Sequence, residues 1–333
     1  MNDRGGNLNQ LGFWKRNELS GGFLLKRSAR DLFVNVLRYL LLFGLCFLIL
    51  QPLLNKISVS LMAERDLYDS TVIVLPRHLS VTSYQIAGIL LSYGKALFNT
   101  VWISILVSII QVLVCALVGY GFARFSFPFK RFWFFCVILV IVIPPQTIST
   151  SLYLHFRFFD VFGIFKAITG GTLNLRSSMI PYILMCFGCM GLKDGLYIYM
   201  TLQYFRGIPF ELEEAAYVDG CGPFATFFRI MLPGAKPIIT SCFLFSFVWQ
   251  WTDSLYTQLF LGKITLLSNQ ISGLAERLQT YLTLTKGEVM VTQAYTQAII
   301  ATGVLMTVAP LILLYVFVQR QFVESLTSTG LKM

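Results

Sequence analysis

Long apolar runs alternate with short charged stretches along this chain, and that alternation predicts its elements. Apolar runs at about 32–54, 97–122, 132–153, 179–205, 237–261 and 294–318 approach or exceed the ~20 residues that a helix needs to cross a hydrocarbon layer about 30 Å thick. The pattern predicts an all-α integral membrane protein of about six transmembrane helices. Two spans carry signs of irregularity. Pro144 and Pro145 fall inside the third, where they remove backbone hydrogen bonds and should kink or break the helix. Gly188, Gly191 and Gly195 surround Lys193 and Asp194 in the fourth. Residues 55–95, with Glu64, Asp66 and Asp69, are too polar to span, and so is the stretch 206–236.

Composition supports this reading. The chain has 333 residues, 56% hydrophobic and only 13% charged, against ~25% charged in a soluble domain. The formal net charge of +10 raises the possibility of nucleic-acid binding, but the basic residues form no solvated domain. They sit at the ends of apolar runs: Lys15, Arg16, Lys26, Arg27 and Arg30 before the first, Arg124, Lys130 and Arg131 after the second, Arg320 after the last. The positive-inside bias then predicts a cytoplasmic basic segment at 1–31, a transmembrane domain at 32–319 and a cytoplasmic tail at 320–333. The first apolar run lacks a small-residue cleavage site and reads as a span rather than a leader. Seven cysteines fall in apolar runs or in segments placed inside, which argues against a disulfide framework. Cys186 and Cys189 have no second Cys/His pair, so no metal site is expected.

The most informative stretch is 209–233, which reads as two short helices. Pro209 suits a first turn. Glu211, Glu213 and Glu214 follow, where the positive helix end favours acids. Gly220 is a stop, expected at positive φ. Gly222-Pro223 restarts a helix running to Pro233. Leu212, Ala215, Ala216 and Asp219 share one face by helical spacing, and its two alanines leave room for close approach of another backbone or groove.

Here the sequence resembles a known family. Glu214-Ala215-Ala216, then Gly220, Ile230 and Leu232-Pro233, is similar to the EAA loop of ABC importer permeases at every spaced position. Phe122-Ala123-Arg124, Tyr84, Asn99-Thr100, the stretch FVWQWTD at 247–253 and the tail Gln319-Arg320-Gln321-Phe322-Val323 resemble the maltose-type, carbohydrate branch, although Leu331 and Met333 depart from its usual ending. The resemblance implies the type I ABC importer permease fold in a bacterial plasma membrane, both termini cytoplasmic. It implies that 206–236 is a coupling loop for two ATP-binding subunits. Glu213, Glu214, Ala215, Ala216, Asp219, Gly220, Ile230, Leu232 and Pro233 would form that site. It further implies a second, non-identical permease, an extracytoplasmic solute-binding protein and a carbohydrate substrate, most simply an oligosaccharide. No GxxxxGK[ST] loop occurs in the chain, so ATP and Mg are expected on the partner ATPase and no cofactor here. Permeases for amino acids, phosphate or polyamines share the loop and are the alternative.

Charges inside spans are costly and hint at function. Lys193 and Asp194 lie ~18 Å from the cytoplasmic end of span four at 1.5 Å per residue. Trp249, Asp253 and Tyr256 have the spacing of one helix face in span five. The functional reading is a substrate path, with a ring to stack on and polar groups for hydroxyls. The alternative is that they pack or anchor. A membrane enzyme would need a convergent catalytic set, which two distant histidines and scattered acids do not supply. A channel would show a repeated filter or charge ring, and none is visible.

Overall fold

The structure, a computed structural model, describes residues 23–330 apart from 70, 162 and 288–290. Most of the predicted basic N-terminal segment and the last three residues of the tail lie outside the described residues. Helices α1 (Phe23–Ser60), α2 (Thr82–Leu90) and α3 (Tyr93–Arg124) are followed by α4 (Lys130–Val142), α5 (Pro145–Arg157), α6 (Ile180–Phe187) and α7 (Asp194–Arg206). Then come α8 (Glu211–Val218), a short helix from Pro223 to Gly234, α9 (Lys236–Thr252), α10 (Leu255–Phe260), α11 (Leu267–Ser272), α12 (Leu274–Lys286) and α13 (Gln293–Gly330).

Helix α3 is the axis of the molecule. It packs most extensively against α7 and α9, around a core that includes Cys115, Ala116, Tyr120, Tyr197, Leu202, Phe205, Phe227 and Cys242. Gly119 lets α3 and α7 close together: a Cβ there would lie 3.0 Å from the Leu202 amide nitrogen. Gly195 does the same for α7 and α4, where a Cβ would meet the Val137 carbonyl at 2.8 Å. Small residues at such crossings are how helices approach when lipid supplies no hydrophobic drive. By contrast, α1 packs along α13 and leaves side chains such as Leu32, Phe43 and Ile49 exposed.

Among the described residues, three helices, at Ala29–Ser60, Tyr93–Arg124 and Gln293–Gln319, are long and apolar enough to cross a membrane unbroken. The others are interrupted. The chain turns by 105° between α4 and α5 at Pro144-Pro145, because Pro145 cannot continue the ladder and instead starts a new helix as its first residue. Residues 188–193 separate α6 from α7, with Cys189 and Lys193 at φ 54° and 69°. The predicted fifth span divides as well: α9 stops at Thr252, Asp253 is extended at ψ 123°, and α10 starts at Leu255.

Candidate functional site

Two places carry the residues singled out by sequence. The first is the stretch between α7 and α9. Three acids occupy the first turn of α8, at its positive end. Gly220 follows at φ +80°, with nothing within 4 Å of where a Cβ would stand. The Cys221 amide donates to the Ala216 carbonyl at 2.9 Å and closes the turn. The second short helix ends at Gly234, one residue past the expected Pro233. It widens into a π turn at Phe227–Met231 and passes through Pro233 to Gly234; the wider turn relieves the clash a proline ring makes with the preceding turn.

The helix face predicted for Leu212, Ala215, Ala216 and Asp219 divides in the structure. Leu212, Glu214, Ala215, Val218 and Asp219 are exposed, whereas Glu213 and Ala216 are buried at 2% and 3%. Ile230 and Leu232 are half-buried and Pro233 exposed. Glu213 points inward to Arg124 at the end of α3, with Nε–Oε1 at 2.7 Å. Burial raises its carboxyl above the ordinary range, and the Arg124 charge opposes that shift. The same guanidinium donates through Nη2 to the Ile208 carbonyl at 2.7 Å and lies 4.3 Å from the Phe210 ring centre. Nothing in the spacing of the loop revealed this pairing.

The second place is a cavity of about 470 Å³ at the α4–α5 bend. Pro144, Pro145, Gln146, Met190, Lys193, Trp249 and Tyr256 are among its walls. Lys193 Nζ lies 4.8 Å from the Trp249 ring centre, a cation–π distance. Trp251 turns the other way, fully buried, and its Nε1 donates to the Thr307 carbonyl at 3.2 Å.

Asp253 lies off this cavity, because the helix face expected to carry it with Trp249 and Tyr256 is interrupted at Asp253 itself. Its carboxylate accepts the Tyr182 hydroxyl at 2.7 Å and the amides of Leu255, Tyr256 and Thr257 at 3.0, 3.3 and 3.1 Å. That is a cap on the first turn of α10. Asp194 is likewise turned away from the cavity and wholly buried. Its Oδ2 accepts the Gly191 amide at 2.6 Å and its Oδ1 accepts Gln111 Nε2. Gln111 also donates to the Leu192 carbonyl at 2.8 Å and accepts the Ser246 hydroxyl. This network holds the 188–193 break. Gln111 and Ser246 carry no sequence signal beyond being polar within apolar runs.

A bundle of long and broken apolar helices with a cavity at a helix bend and a two-helix loop defines a class: a multi-pass helical membrane protein. The chain belongs to the family described as binding-protein-dependent transport system inner membrane component, which matches residues 111–326 and so takes in both places. That family is one of ABC transporter permease subunits of the plasma membrane, in which ATP hydrolysis lies in separate subunits. The chain is 27% identical to the arabinooligosaccharides transport system permease protein AraQ of Halalkalibacterium halodurans, over 89% of this chain and 97% of the relative. It is 25% identical to the trehalose transport system permease protein SugB of Mycobacterium tuberculosis, over 85% and 92%. Its fold is similar to a chain in the crystal structure of a bacterial ABC transporter involved in the import of the acidic polysaccharide alginate. The TM-score is 0.62 at 17% identity, covering 88% of this chain and 98% of that one.

Proposed function

We propose that this chain is the permease subunit of an ATP-driven importer that carries a carbohydrate, an oligosaccharide by preference, across the bacterial plasma membrane. The observation that carries the reading is the loop at 206–236. It presents an exposed acid and a small residue, Glu214 and Ala215, on a short helix ended by Gly220 in the left-handed conformation. That surface suits a groove in an ATP-binding subunit, two of which would dock on the assembled transporter and hold ATP and Mg. A second, different permease would complete the membrane part, and a solute-binding protein would deliver substrate from outside. Relatives named for arabinooligosaccharide and trehalose transport support the substrate class, as does a cavity that offers Trp249, Tyr256 and Lys193 for stacking and hydrogen bonding. The basic flanks support cytoplasmic termini and a cytoplasmic loop. The test is reconstitution of this chain with its partner permease, ATPase and binding protein in liposomes. ATP-dependent uptake of a labelled oligosaccharide is expected. Uptake of a labelled amino acid, with no response to any oligosaccharide, would overturn the substrate class.

A further inference from the structure

The loop and the cavity are joined by one helix. Arg124 ends α3 and gathers two parts of the approach to α8, the Ile208 carbonyl and the Phe210 ring, and the Glu213 carboxylate of α8 itself. The Arg124 and Glu213 side chains are 1% and 3% exposed. Beside them, Tyr120 of α3 packs against Phe227 of the second loop helix at 5.2 Å between ring centres. Thirteen residues back along α3, about 20 Å at 1.5 Å per residue, Gln111 grips the 188–193 break through Leu192 and Asp194. That break sets Lys193 against Trp249 in the cavity wall. No break interrupts α3 between the two grips.

We propose that Arg124 and Glu213 are a pin that makes α8 and α3 move as one body, so that displacement of the loop reaches the cavity wall through Gln111. The pin rests on the transport reading above, and both residues act by positioning. A buried pair of this kind contributes little net stability over an apolar replacement, whereas breaking it leaves an uncompensated charge. Its value here is geometric: one hydrogen bond, one ion pair and one ring contact from a single planar group hold the loop's entry angle to the axis of α3.

The test uses the complete transporter in liposomes and reads substrate taken up per ATP hydrolysed. Failure of the wild-type chain to assemble with any ATPase would retire the transport reading before a variant is made. In the assembled complex, R124M/E213M is expected to keep ATP hydrolysis while uptake per ATP falls about ten-fold, a coupling loss of ordinary size. Unchanged uptake per ATP would reduce the pair to packing and overturn the proposal. A second measurement leaves the pin intact. Spin labels at V218C on α8 and L113C on α3, both exposed positions, should keep one separation in nucleotide-free and ATP-bound complexes. A separation that changes between the two states would show that α8 moves independently of α3, and would sink the pin even if the double variant failed to assemble.

Discussion

Trp249 and Asp253 stand four residues apart and do different work. Trp249 is 43% exposed and faces the cavity beside Lys193, whereas Asp253 is spent on the cap of α10. Trp249→Ala and Lys193→Met should therefore slow uptake normalised to assembled complex, while binding-protein-stimulated ATP hydrolysis persists. Normalised uptake equal to wild type in both variants would leave these residues as packing. Asp253→Ala removes the acceptor of a tyrosine hydroxyl and three amides, which should cost about 1–3 kcal/mol of stability. A lowered thermal midpoint of the purified complex, with nearly normal uptake at low temperature, is expected. An unchanged midpoint with lost uptake would instead return Asp253 to the substrate path.

At the level of elements, the loop and the helix crossings respond to substitution in opposite ways. Gly220 has a positive φ but open space around it, so a side chain there meets only backbone strain of about 1 kcal/mol. Gly220→Asp should still reach the membrane yet lose uptake, because the turn that presents α8 relaxes. Wild-type transport by this variant at normal expression would count against the coupling loop. Gly195 has an ordinary φ and no space. Gly195→Val must push α7 off the Val137 carbonyl, so it should fail by instability; a melting curve that matches wild type would contradict the close α4–α7 crossing. The glycine run around Lys193 and Asp194 signalled irregularity in the sequence. Only the packing separates Gly195, a contact, from Gly191, whose amide serves the Asp194 carboxylate.

For the whole molecule, the basic flanks and the apolar runs predict that residues near Asp69 and Ser325 lie on opposite sides of the membrane. With single cysteines placed at these positions in a cysteine-free chain, an impermeant thiol reagent applied to intact cells should label Asp69→Cys and spare Ser325→Cys. The reverse pattern would invert the topology. The structure adds what holds the molecule together across that topology: α3 packs on α7 and α9 within one core, while α1 packs mainly along α13. The long exposed apolar side of α1 suits lipid or the second permease.

Apolar run length and charge placement are local properties, set by bilayer thickness and the cost of moving cations across it, so the helical membrane class was readable from the chain alone. The short helix of the loop was readable for the same reason, because a proline, an acidic turn and a left-handed glycine act within about ten residues of each other, whereas its EAA identity came from family resemblance. What the tertiary structure decided depends on groups brought together from distant positions. It turned Glu213 inward by supplying Arg124, interrupted the Trp249–Asp253–Tyr256 face because Asp253 found Tyr182 and three amides to bond, and gave Asp194 to Gln111. A buried charge takes whichever partner the packing provides, and helical periodicity in one segment carries no information about that partner.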